Sequence, residues 1–355
     1  MRRVLGFVLV GLGVALLTLG VAVKYWAYPR IAQVGAVYPT QKDIDAKTQP
    51  PAGTVVSNGS AEVFIAVGDN PVGPQVVDVV STRTVQGDPK AAKGGHVYWE
   101  TRVDTSVPDK SADPINRTVE GLCFDNVTGE QQSDCFKKPY YQTGPDASSR
   151  KNPDRRGVYL KFPFGTRPTS YQFWDSASGA AYQARYVATE EIQGLKVYKF
   201  EQKIPDVSLG QQQVPGALFG GAPDSTAATA DIRYANVRTL WVEPETGAII
   251  KGQEQQDRRL VANGVTVPML VGTLAYSDQT VKTNVEVQSA NAASLHMLRV
   301  TLPAWGSVIG FLMTMGGVAL VFLSGTGRRR AGRADDAGPD SVDLRGVPAS
   351  ADDVR

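Results

Sequence analysis

Two cysteines, two histidines and a dense group of aromatic residues are what this 355-residue chain offers for chemistry. Cys123 and Cys135 stand with eleven residues between them. That spacing fits neither the C-x-x-C of redox catalysts nor a zinc ligand set, and it reads as a disulfide worth about 3 kcal/mol by loop entropy. A nucleophilic hydrolase needs a base beside its nucleophile. There is no G-x-S-x-G, His296 lies against an apolar run, and His96 sits in an alternating His-Val-Tyr-Trp stretch that suits a strand. H-E-x-x-H, a P-loop and G-x-G-x-x-G after a strand are also missing. Asp43-Ile-Asp45 lies among Lys42 and Lys47 and reads as a solvated charge cluster. We therefore expect no catalytic residue, no metal and no cofactor. The aromatic group, Tyr159, Phe162, Phe164, Tyr171, Phe173 and Trp174, could build core or line an apolar cavity.

The elements that hold these residues are set by the distribution of apolar side chains. Residues 4–23 and 303–323 are uncharged and apolar, each long enough for a helix to cross a ~30 Å hydrocarbon layer. Arg2 and Arg3 precede the first run; Arg328, Arg329, Arg330 and Arg333 follow the second. By the positive-inside rule both ends are cytoplasmic, so residues 1–3 and 324–355 are tails and 24–302 an extracytoplasmic domain. Tyr25, Trp26, Tyr28 and Trp305 mark the outer interface. Gly306 and Gly310 form a G-x-x-x-G for helix packing, and Gly11 with Ala15 offers a small-xxx-small counterpart in the first run. Residues 24–302 carry 29 basic and 29 acidic residues, so no charge excess selects a nucleic acid.

Within that domain, 62–67, 75–85, 96–105, 157–164, 182–188, 195–203, 232–242, 248–256 and 265–275 alternate apolar and polar residues as strands do. Pro244 and Gly247 bracket a hairpin turn. Residues 107–156 read as a polar excursion stapled by the cysteines, and 204–231 as a mobile loop bearing Val214, Leu218 and Phe219. Val281, Val285, Ala292 and Leu295 recur at helical spacing before the second run. The tail 324–355 is polar and expected to be disordered. The fold class is α+β, mainly β: one large, barrel-like domain with helices, between terminal transmembrane helices.

Lys161-Phe-Pro-Phe-Gly-Thr166, Tyr171-Gln-Phe-Trp-Asp175 and Glu190-Glu-Ile-Gln-Gly-Leu-Lys-Val-Tyr-Lys-Phe-Glu201 resemble the actinobacterial porin PorA family of envelope proteins, over nearly the whole chain. The two apolar runs lack the alternation of porin strands. The layout of one anchor at each end of a β-rich ectodomain is similar, more distantly, to class B scavenger receptors. Gly194-Leu-Lys-Val-Tyr-Lys-Phe200 is similar to a stretch those receptors carry. That second resemblance implies a lipid-carrying interior. The expectation is a cell-membrane protein with two passes whose ectodomain binds and transfers lipid or another apolar molecule, with the aromatic group as its lining. The alternative is a structural or assembly factor that recognises another envelope protein through 204–231.

Overall fold

The structure, a computed structural model, describes residues 1–67, 70–108, 114–143, 147–221 and 226–330. These form two compact units, residues 27–298 and residues 1–26 with those from 299 onward.

In the second of these, the apolar runs become α1 (Arg2–Ala22), continued by a π-helical turn (Val23–Ala27), and the helix that ends the described chain (Leu302–Arg330). Both helices are long and apolar enough to cross a membrane. The C-terminal helix continues beyond 323, so the first residues of the expected disordered tail are helical; from 331 the tail lies outside the described residues. Gly6, Gly13 and Gly20, seven residues apart, are the buried positions of α1. They meet Gly317, Gly310 and Pro303, also seven apart, in antiparallel register. A Cβ added at Gly310 would fall 2.7 Å from the Gly13 carbonyl oxygen, and one at Gly317 2.6 Å from that of Gly6. A seven-residue repeat keeps one seam facing the partner, and glycine along it lets the backbones touch. Gly306 lies near the Leu16 carbonyl, whereas Gly11 has nothing within 4 Å and Ala15 is exposed. The α1 seam is thus the Gly6–Gly13–Gly20 row rather than the Gly11/Ala15 pair.

The other unit opens with two short helices, α2 (Tyr28–Ile31) and α3 (Gln41–Asp45). Its strands are β1 (Thr54–Val67), β2 (Asn70–Gly87), β3 (His96–Ser106), β4 (Asn116–Asp125), β5 (Tyr140–Gln142), β6 (Tyr171–Asp175), β7 (Ala180–Ile192), β8 (Leu195–Val214), β9 (Ala228–Val242), β10 (Ile249–Ala262) and β11 (Val265–Tyr276). They make one curled, antiparallel sheet in the order β5-β4-β3-β2-β1-β11-β10-β9-β8-β7-β6. Two meanders, β1–β5 and β6–β11, are joined where β1 pairs with β11. The chain is mostly β with an apolar helix at each terminus. Between the edge strands runs the segment 151–158: Lys151 bridges Tyr141 of β5, and Val158 bridges Phe173 of β6. It supplies partners to edges that would otherwise present unpaired backbone groups.

Three expectations change. Residues 157–164 are not a strand: Phe162 N–H donates to the Gly247 carbonyl at 2.8 Å and Phe164 N–H to Val127 at 3.2 Å, so this backbone is satisfied by turns. The excursion 107–156 contains β4 and β5. The expected loop 204–231 is largely strand, with residues 222–225 outside the described chain. Pro205 and Gly210 fall in irregularities between Ile204/Val207 and Ser208/Gln211, where a bulge absorbs residues that a regular ladder rejects. Val214, Leu218 and Phe219 pack back with Ala230, Leu260 and Val267.

The hairpin turn between β9 and β10 lies where Pro244 and Gly247 bracket it. Glu243 accepts from the Glu245 and Thr246 N–H groups at 2.9 and 2.7 Å, and Gly247 takes φ +72°. Then α4 (Asp278–His296), capped by Ser277, lays Val281 and Val285 on Val197, Trp241 and Ile250. A further π-helical turn (Met297–Thr301) leads to the C-terminal helix, α5.

Candidate functional site

Tyr159, Phe162, Phe173 and Trp174 are buried in one cluster with Val97, Leu122, Phe200 and Leu240, and Tyr171 packs against it. Phe162 stacks on Phe200 at 4.8 Å between centroids and meets Tyr171 edge-on at 5.3 Å. Phe164 lies apart, with the Lys161 ammonium 3.8 Å from its ring centroid. Burial pushes Lys161 down to about 7, against the pull of Asp125. Cys123 and Cys135 form a disulfide. Beside it, His96 Nδ1 lies 2.7 Å from Asp134 Oδ1. These two and Cys123 are close enough to share a metal ion, but the Cys123 sulfur is committed to the disulfide.

Under the curl of the sheet the interior is polar. Arg155, on the edge-linking segment, pairs with Glu120 of β4 at 2.7 Å, both side chains almost fully buried. Tyr159 and Ser176 donate to the same carboxylate at 3.0 and 2.8 Å. Arg155 also donates to the Gly121 and Tyr140 carbonyls, tying the segment to β4 and β5. A second knot surrounds Arg238 of β9. Its guanidinium donates to Glu254 at 2.8 Å, Gln202 at 2.7 Å and Asp175 at 3.0 Å. Tyr234 donates to Asp175, and Gln256 to Glu254. Burial alone would raise the Glu254 carboxyl, yet Arg238 overrides it and holds the group at about 2.

Between these knots lies a cavity of about 220 Å³, walled by β1, β2, β3, the start of β4, β9, β10 and β11 with Tyr159 and Phe173. Arg83, Arg238, Arg258 and Glu254 carry its charge, and Ser57, Ser81, Asn116 and Tyr276 add neutral polar groups. Burial works against the charge on Arg83, but Tyr159, Tyr276 and the Glu120 and Glu254 carboxylates favour it and raise its pKa. Burial likewise pushes Tyr159 up to about 12. The volume holds roughly seven waters at ~30 Å³ each and falls below the span usual for drug-sized ligands. Burying an acyl chain against guanidinium groups would strip their hydration without replacing it.

Arg83, Arg238, Glu254 and Arg258 are not conspicuous as a motif, because they come from three strands. One signal was present. Gly252-Gln-Glu-Gln-Gln-Asp-Arg-Arg259 of β10 has no apolar residue on either face. A strand polar on both sides, in the middle of a sheet, implies a hydrated interior. On β7, Gln183, Arg185, Thr189 and Glu191 are exposed, as is Val187. α1 and the C-terminal helix are long and apolar enough to cross a membrane.

The class is thus a mostly β protein: a curled β domain with a charged interior, in a chain whose terminal helices are long and apolar enough to cross a membrane. The family model described as Porin PorA matches residues 5–319, and the chain belongs to that family. It is 25% identical over 305 residues to the Porin PorA of Corynebacterium amycolatum, covering 72% of this chain and 77% of that one. To the Porin PorA of Corynebacterium resistens it is 23% identical over 291 residues, covering 63% and 70%. Membership associates the chain with a cell-envelope membrane. It also overturns the expected lipid-binding, scavenger-receptor-like function and its assembly-factor alternative, since the relatives are named as porins. The polar interior gives a physical reason for the correction.

Proposed function

We propose that this chain provides an aqueous route for small polar solutes in the cell envelope. Residues 4–23 and 303–323 anchor it in the cell membrane, residues 24–302 lie outside the cytoplasm, and residues 1–3 and 324–355 lie inside. The observation that carries the reading is the charged lining of the cavity by Arg83, Arg238, Glu254 and Arg258. Such a lining suits water and hydrated solutes, and porin lumens are polar for the same reason. The names of the Corynebacterium relatives support it. The direct test is uptake of a small sugar into liposomes bearing the full chain, compared with a variant whose cavity is filled by Ser57→Trp. The orientation has its own test. Protease added to intact cells should cut within 24–302 and leave a C-terminal epitope protected; loss of the epitope contradicts it.

A further inference from the structure

The cavity's charges do not balance. Three guanidinium groups and one carboxylate face it. Arg238 is fully engaged, by Glu254 and Asp175 as ion pairs and by Gln202. Arg83 and Arg258 are not. Among the described residues no carboxylate oxygen lies within 4.0 Å of either guanidinium. Each lies instead over an aromatic ring, with Arg83 Cζ 5.3 Å from the Tyr159 centroid and Arg258 Cζ 5.8 Å from that of Tyr234. The Arg258 Nε is buried and has no hydrogen-bond partner. A buried donor without an acceptor costs free energy unless something else accepts from it, and an unoccupied ion site is one standing explanation for such a group.

We propose that the cavity binds a small oxyanion between Arg83 and Arg258. The neighbouring Glu120 and Glu254 carboxylates favour the Arg83 charge from a distance, but each is already ion-paired with another arginine. Glu254 and Asp175 are held by Arg238, and Glu120 by Arg155. Arg83, Arg155, Arg238 and Arg258 set against Glu120, Asp175 and Glu254 leave one positive charge without a counter-charge, which an anion from solution would supply. Guanidinium forks match the paired oxygens of phosphate, sulfate and carboxylate, and such charge-assisted bonds are among the strongest in proteins. Ser57, Asn116 and Tyr276 add neutral donors to the lining of the same cavity. The volume of about 220 Å³ admits an inorganic oxyanion or a small carboxylate and excludes a nucleotide. The inference rests on the reading of this cavity as aqueous and names the class of solute it favours.

Isothermal titration calorimetry on the detergent-solubilised full chain tests it, with sodium phosphate as the probe and sulfate, acetate and chloride as separate arms. Saturable phosphate binding is expected, weakened at least tenfold in Arg83→Gln and in Arg258→Gln. Arg259→Gln, which removes a guanidinium paired with Asp257 at 2.6 Å, should bind as the unaltered chain does. Phosphate should raise the thermal midpoint of the unaltered chain and not that of Arg258→Gln, which covers the case of an Arg83 variant that fails to fold. Binding of phosphate and sulfate without acetate assigns the site to tetrahedral oxyanions; equal binding of acetate extends it to carboxylates. Absence of saturable oxyanion binding, equal affinity for chloride, or full affinity in both arginine variants overturns the proposal. Binding at equilibrium and passage across a bilayer are separate measurements. Phosphate binding without sugar uptake leaves the site standing and removes the route, and the converse removes the site alone.

Discussion

Arg238 makes three side-chain hydrogen bonds, and each partner sits on a different strand: Asp175 on β6, Gln202 on β8 and Glu254 on β10. One residue thereby pins three strands from inside the curl. The pH dependence follows from Glu254, whose carboxyl is held at about 2 against an ordinary 4.5. Its folded-state pKa is depressed, so its contribution is complete above pH 4.5 and is lost as pH falls toward 2. Thermal unfolding followed by circular dichroism should show the midpoint falling through that window, with the slope reduced in Glu254→Gln. At neutral pH the same substitution should cost roughly 1–3 kcal/mol, because Arg238 keeps Asp175 but loses one charged acceptor. An unchanged acid slope in Glu254→Gln would show that other carboxylates carry it.

At the scale of elements, local pattern and remote pairing part company. The apolar runs, α4 and most strands are visible in the sequence because burial on one face imposes periods of 3.6 and 2. β4 is not, since Asn116-Arg-Thr-Val-Glu120 looks like a solvated stretch until Arg155, far along the chain, neutralises Glu120. β5 and β6 are short edges whose pairing depends on the segment 151–158. Helix packing shows the same division. G-x-x-x-G at 306–310 can be read locally, but the α1 seam depends on a seven-residue glycine row seen only against its partner. Gly13→Leu should force α1 and α5 apart at a cost of roughly 1–3 kcal/mol, whereas Gly11→Ala should be neutral. Thermal unfolding of the detergent-solubilised chain compares the two. Equal midpoints would contradict the seam.

For the whole molecule, two features were legible and one was not. Apolar helices at both ends and a β-rich middle followed from hydropathy and alternation. The character of the interior did not, because the aromatic group from Tyr159 to Trp174 drew attention to apolar packing. It does build core, around Phe162 and Phe200. The charged residues that line the cavity lie on alternate positions of separate strands, so their convergence emerges only when β1 pairs with β11 and joins the two meanders. The lipid-carrier expectation failed on that point and on the porin family of the chain. The central claim is that polar solutes pass through a hydrated interior. It is tested most directly by sugar uptake into liposomes that contain the full chain or its Ser57→Trp variant. Uptake well above that of protein-free liposomes is expected, reduced at least several-fold when tryptophan fills the cavity. Uptake no greater than that of empty liposomes, or equal uptake by both proteins, would contradict it.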